Sequence, residues 1–202
     1  MLWLPDAPLV LASRSAARLS MMEQAGISVD PHPASIDERA LQEQEGGTLQ
    51  ASDLATLLAK AKAVSVSREF PGRLVLGSDQ TLEHEGTIHS KANSREEAAR
   101  RLHELSGSTH LLHSAYCFVH DGVIRASGVS SAKLTMRRLS DDFIEQYLDA
   151  CGEDVLQSVG VYQIEGLGIH LFEEISGDWF TILGMPLMNV IAHLRTEKSL
   201  IT

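Results

Sequence analysis

The sequence contains few of the residues and segments that mark membrane and secreted proteins. Its two cysteines, Cys117 and Cys151, lie far apart, which predicts a reducing compartment and not a disulfide scaffold. No run approaches the ~20 apolar residues that a membrane-spanning helix needs. The stretch MLWLPDAPLVLASRS lacks the basic region of a signal peptide, and Pro5, Asp6 and Pro8 interrupt it. We therefore expect a soluble, cytoplasmic protein without a membrane partner.

Positive charge is scarce as well. Lysine and arginine number 17 against 27 aspartate and glutamate residues, and the formal net charge is -10. Because phosphate-rich surfaces attract summed positive potential, this charge argues against nucleic acid polymers as partners, although it allows a local basic pocket. With 44% hydrophobic and 22% charged residues, the composition is typical of a globular protein. At this length we expect one domain over residues 1–202.

Several familiar catalytic and metal-binding motifs are also absent. The nine histidines show no H-E-x-x-H spacing and the cysteines form no C-x-x-C, so we expect no structural zinc. The phosphate-binding loop G-x-x-x-x-G-K-[ST], the nucleophile elbow G-x-S-x-G and the dinucleotide motif G-x-G-x-x-G do not occur. Any active site must therefore combine polar residues that are dispersed along the chain.

Strand and helix patterns alternate, which predicts an α/β fold. Residues 9–13 (LVLAS) read as a strand, followed by a polar turn and a helix over 16–25. Residues 27–38 are predicted to be extended, 53–68 to be helical, and RLVLGSD to be a buried strand that closes on Asp79 and Gln80. Later patterns predict a capped helix at 94–107, two strands joined at 121–122, a capped helix at 140–152, two short glycine-punctuated strands within 158–179 and a closing helix at 184–197.

Polar residues at the strand ends and helix starts could bind an anion or a metal ion. The first strand-helix corner offers backbone N–H groups and the positive end of a helix dipole. Asp79 follows LVLG, near the edge at which α/β sheets bind ligands. Phosphate handling needs cations and N–H donors together with carboxylates for a metal ion and a water. The candidates are Ser13, Ser15, Arg18, Asp37, Glu38, Lys62, Asp79, Gln80, Lys91, Gln163 and Glu165.

Each candidate also has a purely structural interpretation. Ser15 could cap the helix, and Asp79 could form a turn. Arg18 and Lys62 could be solvated helix charges, and the acidic pair at 37–38 could begin a solvated face. Taken alone, the residues predict an α/β protein with a plausible cleft for an anion and a metal ion.

Seven segments together resemble the Maf proteins, a family of nucleoside triphosphate pyrophosphatases. In chain order they are LASRSAARLSMMEQAGI, IDE, LAKAKAV, VLGSDQTL, SKANSREEAARRLHELSGSTH, LSDDFIEQYL and VGVYQIEGLGIHLFEEISGDWFTILGMPL, between Leu11 and Leu187. The resemblance implies a two-lobed mixed sheet with flanking helices around a central cleft, similar to inosine triphosphate pyrophosphatase and commonly homodimeric. It also implies hydrolysis of a nucleotide to its monophosphate and pyrophosphate with a divalent metal cation, Mg²⁺ or Mn²⁺.

The same resemblance implies roles for the candidate residues. Asp79 falls on the family's proposed general base, and Asp79 and Glu38 would hold the metal ion. The phosphates would be bound at the first corner and by two lysines. This group comprises Ser13, Ser15, Arg18, Lys62 and Lys91.

Two family positions separate the substrate branches. The branch that acts on 7-methyl-GTP has Asp-Gln and a later glutamate before glycine, whereas the dTTP and UTP branch has Asp-Thr and YGIQG. This sequence has Asp79-Gln80 and Glu165, so it is nearest the 7-methyl-GTP branch. A carboxylate at Glu165 could accept from both donors of a guanine edge and complement the positive charge of a methylated base.

A third specificity position departs from both branches. The family pattern S-P-R-R or S-P-W-R reads Ser15-Ala16-Ala17-Arg18, so Ala17 offers neither arginine nor an aromatic face worth ~1–2 kcal/mol to a cationic base. The lysine of the family's GKP is kept as Lys91. We therefore expect retained phosphate handling and altered base selection.

Two other functions stay open. One is a nucleotide-binding regulator of septum formation with weak or no hydrolysis, and the other is a pyrophosphatase of the dTTP and UTP type. The presence of Asp79, Glu38 and the two lysines favours an enzyme, because a pure binding module needs no base.

Overall fold

A seven-stranded mixed sheet carries the helices of this protein in a computed structural model, which describes residues 3–44 and 49–200. The strands are β1 (Leu9–Ala12), β2 (Val29–Pro31), β3 (Leu74–His84), β4 (Thr87–His89), β5 (Thr109–His120), β6 (Val123–Met136) and β7 (Phe172–Ser176). The helices are α1 (Ala16–Gln24), α2 (Glu38–Gln44), α3 (Ala51–Ser67), α4 (Arg95–Leu105), α5 (Asp141–Cys151), α6 (Trp179–Ile182) and α7 (Leu187–Thr196). Short 3-10 helices span Gly152–Gln157 and Leu167–Leu171.

The strand order is β2-β1-β3-β5-β6-β7, and β4 pairs with β3 outside this path. β1 is parallel to β2 and β3, whereas β3, β5, β6 and β7 pair antiparallel in succession. The predicted α/β class, a mixed sheet with flanking helices, is confirmed. Within the described residues, no helix has the length and apolar character needed to cross a membrane.

The apolar core divides into three clusters, one on one face of β3 and two on the other. On the first face, α3 packs over Val75. On the opposite face, Leu76 packs with α1 and α7, and Leu82 packs with α4 and α5. Because side chains alternate along a strand, Ser78 and Gln80 lie on that same face, between the two clusters.

β3 is longer than predicted. The strand does not close on Asp79 and Gln80 but continues to His84. β5 pairs with β3 over Leu74–Glu83, and these hydrogen bonds keep the backbone extended at Gly77 and Ser78. Asp79 and Gln80 are therefore interior positions of a strand.

The glycine-rich segment 158–179 also differs from prediction. It contains one strand, β7, in place of a pair. The N–H groups of Gly166 and Gly168 both donate to the carbonyl of Gln163, and these turn bonds lead into the second 3-10 helix. Two smaller differences are that Glu38 begins α2 and that the helix predicted over 53–68 spans Ala51–Ser67.

Gly77 allows α3 to lie directly against β3. A Cβ atom built at Gly77 would lie 2.3 Å from the carbonyl oxygen of Ala59 and 2.7 Å from the backbone nitrogen of Ala63. Both neighbours are helix backbone, which cannot rotate away as a flexible side chain could. The missing side chain therefore sets the spacing between α3 and the sheet.

We expect Gly77→Ala to destabilise the protein by about 1–3 kcal/mol, because the added methyl group overpacks a rigid contact. Urea unfolding monitored by circular dichroism measures this change. Gly166→Ala is the matched control, since a Cβ there meets its nearest neighbour, the carbonyl oxygen of Gln163, at 3.6 Å. Equal unfolding midpoints for wild type and Gly77→Ala would contradict the close contact.

Candidate active site

Asp79 lies just beyond the end of β1. The pairing of β1 with β3 ends at Ala12 and Gly77, two residues before Asp79. The Asp79 side chain lies on the face of β3 that α3 covers, and the residue is 7% exposed. The ligand-binding edge expected from the sequence is thus the end of β1, not the end of the strand that carries Asp79.

Lys62 joins the two carboxylates that were predicted to bind metal. Its Nζ atom lies 2.5 Å from Oδ1 of Asp79 and 2.8 Å from Oε1 of Glu38. The Asp79 and Lys62 side chains are 10% and 13% exposed, whereas that of Glu38 is 52% exposed. The pair with Asp79 therefore lies in the lower dielectric and is the stronger electrostatic contact. Lys62 neighbours Ala63, so the close approach at Gly77 brings the lysine within reach.

Burial raises the pKa of Asp79 above its usual range. The positive charges of Lys62 and Arg18 and the hydrogen bond from Lys62 act in the opposite direction, and burial outweighs them. The carboxylate is consequently a better proton acceptor than an exposed aspartate, as a general base requires. Among the described contacts only its Oδ1 atom is bonded, which leaves Oδ2 for a water molecule.

Arg18 is a buried cation at the first strand-helix corner. Its Nε donates to the carbonyl of Gly184 at 2.8 Å, and its Nη1 donates to the carbonyl of Ser78 at 2.9 Å and to Oγ of Ser13 at 3.3 Å. Burial lowers the pKa of Arg18, against the influence of Asp79 and Glu38, although a guanidinium remains charged in proteins. No described residue accepts from Nη2, so that end of the fork can meet an anionic ligand.

Ser13 and Ser15 organise the start of α1. Ser15 is the N-cap, and its Oγ accepts from the backbone N–H of Arg18 at 3.3 Å. Oγ of Ser13 accepts from the N–H of Ser15 at 3.2 Å as well as from Arg18. The capping interpretation of Ser15 is therefore correct. Both hydroxyl groups act as acceptors in these bonds, so their protons remain available to an anion, and their phosphate-binding role stays a prediction.

Lys91 completes the cationic side of the site. It lies in the exposed loop between β4 and α4. Partial desolvation lowers the pKa of Lys91, the charges of Arg18 and Lys62 lower it further, and those of Glu38 and Asp79 raise it. Its ammonium group therefore lies within electrostatic range of the other four. Three cations then face two carboxylates, an excess of positive charge that suits an anionic ligand.

A buried arginine that the sequence did not single out holds the Lys91 loop. Nη1 of Arg101 donates to the carbonyl of Ser90 at 3.0 Å and to the carbonyl of Val159 at 2.9 Å. It thereby ties the loop before α4 to the segment that leads to Glu165. Its position in REEAARRLHEL is typical of a surface helix charge, so no local signal marked it.

The predicted specificity residues lie on three different elements of the fold. Gln80 lies on the opposite face of β3 from Asp79, and its Nε2 donates to Ser114 and to the carbonyls of Thr181 and Ile182. Glu165 lies on an exposed turn, and no described hydrogen bond or ion pair joins it to either residue of the Asp79-Gln80 pair. The third residue, half-buried Ala17, is in the first turn of α1, beside Arg18. Their roles in base selection stay predictions.

The carboxylates can be compared with the needs of a metal ion. Mg²⁺ prefers hard oxygen donors and is usually held by one or two carboxylates together with substrate phosphates. Glu38 and Asp79 supply such oxygens. The described residues contain no group of three or more His, Cys, Asp or Glu side chains that could hold a metal ion. The pair would supply carboxylate oxygens to a divalent cation, and phosphate oxygens and water would have to complete its coordination.

The fold and this site define an α/β protein with a buried carboxylate among cations, suited to an anionic ligand. The chain belongs to the Maf-like protein family, whose model matches residues 8–197. It is 48% identical over 196 residues to the nucleoside triphosphate pyrophosphatase of Nitrobacter winogradskyi, covering 97% of this chain and 96% of that protein. It is 47% identical over 188 residues to the 7-methyl-GTP pyrophosphatase of Rhizobium etli, covering 93% and 94%.

A solved structure, the nucleoside-triphosphatase and dITP/XTP pyrophosphatase of Mycobacterium abscessus, is 13% identical with a TM-score of 0.43, and the match covers 95% of each chain.

Replacing Asp79 tests the electrostatics of the site. A raised pKa in the folded state means that ionisation favours unfolding: the stability from this group is complete below its unfolded-state pKa of about 3.9 and is lost as the pH rises through the folded value. Asp79→Asn cannot ionise. We therefore expect its free energy of unfolding, relative to wild type, to increase from pH 4 to pH 8 in EDTA. Urea unfolding at several pH values measures this difference.

Asp53→Asn, at an exposed position in the first turn of α3, is the control for removing a carboxylate. A difference between wild type and Asp79→Asn that shrinks as the pH rises would show that the cations, and not burial, dominate at Asp79.

Proposed function

We propose that this protein is a metal-dependent nucleoside triphosphate pyrophosphatase that acts on a modified or noncanonical nucleotide. The observation that supports this best is the buried Asp79 carboxylate, ion-paired to Lys62 beside Arg18, in a chain of the Maf-like family. The name of the Nitrobacter winogradskyi relative is the second support. Both cysteines are free, which supports a cytoplasmic location.

In the proposed reaction, Asp79 takes a proton from a water molecule while the water oxygen bonds to the α-phosphorus. The bond between that phosphorus and the oxygen bridging to the β-phosphorus breaks, and pyrophosphate leaves with the bridging oxygen. The raised pKa of Asp79 favours the proton transfer. Lys62 holds Oδ1 of the carboxylate, so Oδ2 is the atom proposed to accept the proton.

The cations bind the phosphates and stabilise the negative charge that develops on them. Arg18 is preorganised for this task, since three of its five N–H groups are committed to protein acceptors and the guanidinium cannot rotate freely. Lys91, in an exposed loop, can approach from the solvent side. A divalent cation held by Glu38 and Asp79 would neutralise phosphate charge and polarise a phosphoryl oxygen.

The proposed base is a guanine that carries a modification similar to that of 7-methyl-GTP. The Asp79-Gln80 pair and Glu165 support this choice through the resemblance to that branch, and the Rhizobium etli relative bears the corresponding name. The absence of an aromatic side chain at Ala17 supports a substrate that differs from 7-methyl-GTP or that binds less tightly.

A pyrophosphate-release assay over 7-methyl-GTP, GTP, dTTP, UTP and ITP tests the function. We expect release with Mg²⁺ or Mn²⁺ and the highest kcat/KM for a guanine nucleotide. Asp79→Asn should lower kcat by about 10²–10⁴-fold, as expected for loss of a general base, with little change in nucleotide affinity. Asp53→Asn should keep wild-type activity.

Three outcomes would change the proposal. Near wild-type turnover by Asp79→Asn would remove Asp79 from the role of base. Measurable binding with no release from any nucleotide would favour the regulator of septum formation. A preference for dTTP and UTP would place the protein with the pyrimidine branch.

Ala17→Trp tests the base assignment separately. An indole at this position would offer a π face to a cationic base, so we expect turnover of 7-methyl-GTP to rise about 5–30-fold relative to GTP. Kinetics with the two nucleotides measure this ratio. Ala17→Leu adds bulk without the π face and is the control. A gain shared by all nucleotides, or by Ala17→Leu, would count against a methylated base.

A further inference from the structure

The inner side chains between the two apolar clusters of one sheet face form a set of hydrogen bonds to α6. Gln80 on β3 and Ser114 on β5 are directly opposite in the ladder. Nε2 of Gln80 donates to Oγ of Ser114 at 3.0 Å and to the carbonyls of Thr181 and Ile182 at 3.1 and 3.0 Å. Oγ of Ser114 donates to the carbonyl of Thr181 at 2.7 Å. We call Gln80, Ser114 and these two carbonyls the α6 latch.

The carbonyl of Ile182 depends on a donor from outside the helix. α6 has only four residues, and the last carbonyls of a helix have no intrahelical partner. The Thr181 carbonyl also accepts from the backbone N–H of Gly184 at 3.1 Å, whereas no described backbone N–H donates to Ile182, which is buried, so an unpaired carbonyl there would be costly. An amide offers two N–H groups and a hydroxyl offers one, and the latch directs all three at acceptors within the protein.

The latch is connected to Arg18 through two residues of backbone. Gly184 follows Ile182 after one residue, and its carbonyl accepts from Nε of Arg18 at 2.8 Å and from Oγ of Ser78 at 3.2 Å. Gly184 has a φ of 108°, which only glycine adopts without strain. Because the turn is short, the positions of the Ile182 and Gly184 carbonyls are coupled.

We propose that Gln80 and Ser114 are positioning residues that hold the turn 181–184 against the sheet and thereby orient Arg18 toward phosphate. This inference rests on the proposed function and deepens it. Both N–H groups of Gln80 are bonded to Ser114 and α6, so neither is left to donate to a base. Ser114 contributes without contacting the ligand. The Gly184 carbonyl is one of three acceptors that orient the guanidinium, together with the Ser78 carbonyl and Oγ of Ser13.

A base-reading role for Gln80 leads to different expectations. Side-chain alternation directs Gln80 away from Asp79, onto the opposite face of β3. Replacing a residue that reads the base changes the ratio of kcat/KM between nucleotides. If Gln80 were such a residue, replacing Ser114, which only supports it, would not change that ratio. Replacing a residue that orients the phosphate-binding arginine changes KM for all nucleotides alike. It also changes the affinity for pyrophosphate, which has no base.

The test compares Gln80→Met and Ser114→Ala with wild type. Methionine keeps the approximate length of glutamine but has no donor, and alanine removes only the hydroxyl. We expect each variant to raise KM for nucleotides and the inhibition constant of pyrophosphate by about tenfold, the effect of one lost buried hydrogen bond. The ratio of kcat/KM between 7-methyl-GTP, GTP, dTTP and UTP should stay constant. Gln146→Met on α5 and Ser127→Ala on β6, both exposed, are matched controls.

A double-mutant cycle with Arg18→Lys asks whether the latch acts through Arg18. Residues that act through one group are non-additive, so Ser114→Ala should have little further effect on pyrophosphate affinity once Arg18 is replaced. Full additivity would overturn the proposal. So would a changed ratio between nucleotides in Gln80→Met alone, or a lowered melting temperature with unchanged pyrophosphate inhibition.

Fluorescence separates failure of this inference from failure of the proposed function. Trp179, at the start of α6, is 44% exposed, and a Trp3→Phe background leaves it as the sole tryptophan. We expect both latch variants to increase acrylamide quenching of Trp179, and unchanged quenching would overturn the latch even in an inactive protein. Wild type that hydrolyses no nucleotide would refute the proposed activity alone, and calorimetric titration with pyrophosphate would then replace kinetics.

Discussion

The ion pair between Lys62 and Asp79 is the contact on which the rest of the site depends. A lone buried carboxylate is strongly unfavourable, so Asp79 needs a cation close by. Lys62 reaches it because α3 lies directly against β3 at Gly77, and the same ammonium group also binds Glu38 at the start of α2. One lysine on α3 therefore contacts both β3 and the start of α2. Burial raises the pKa of Asp79 more than the nearby cations lower it. The carboxylate therefore remains a good proton acceptor despite the ion pair.

The two faces of β3 take different parts in the proposed reaction. Asp79, the proposed proton acceptor, lies on the face covered by α3, where it meets Lys62. Gln80, the proposed positioning residue, lies on the other face, where the strand contacts α6. Arg18 links the two, because it lies in the first turn of α1, beyond the end of β1, and its guanidinium donates to the backbone carbonyls of Ser78 on β3 and of Gly184. If β3 ended at Asp79, the strand would not place Gln80 against α6 on the other face.

Local patterns in the sequence predicted the α/β class and the cap at Ser15, because each leaves a local signature. The length of β3 could not be read locally, since the Gly-Ser step resembles a strand end and only the ladder to β5 carries it on. Arg101 and Ser114 escaped notice for a related reason: each contacts segments more than 50 residues away, and nothing near them in sequence indicates that contact.

The adjacency of Asp79 and Gln80 has a consequence for folding. A one-residue slip of β3 would exchange the faces of all its side chains. A slip that moved Asp79 into the place of Gln80 would leave Lys62 facing Ser78 and would put the buried Asp79 carboxylate against the carbonyls of Thr181 and Ile182. A buried charge against two acceptors is severely unfavourable. The dipeptide thus penalises a misregistered sheet, so the same two neighbours that equip the site also help the chain discriminate against its nearest incorrect pairing.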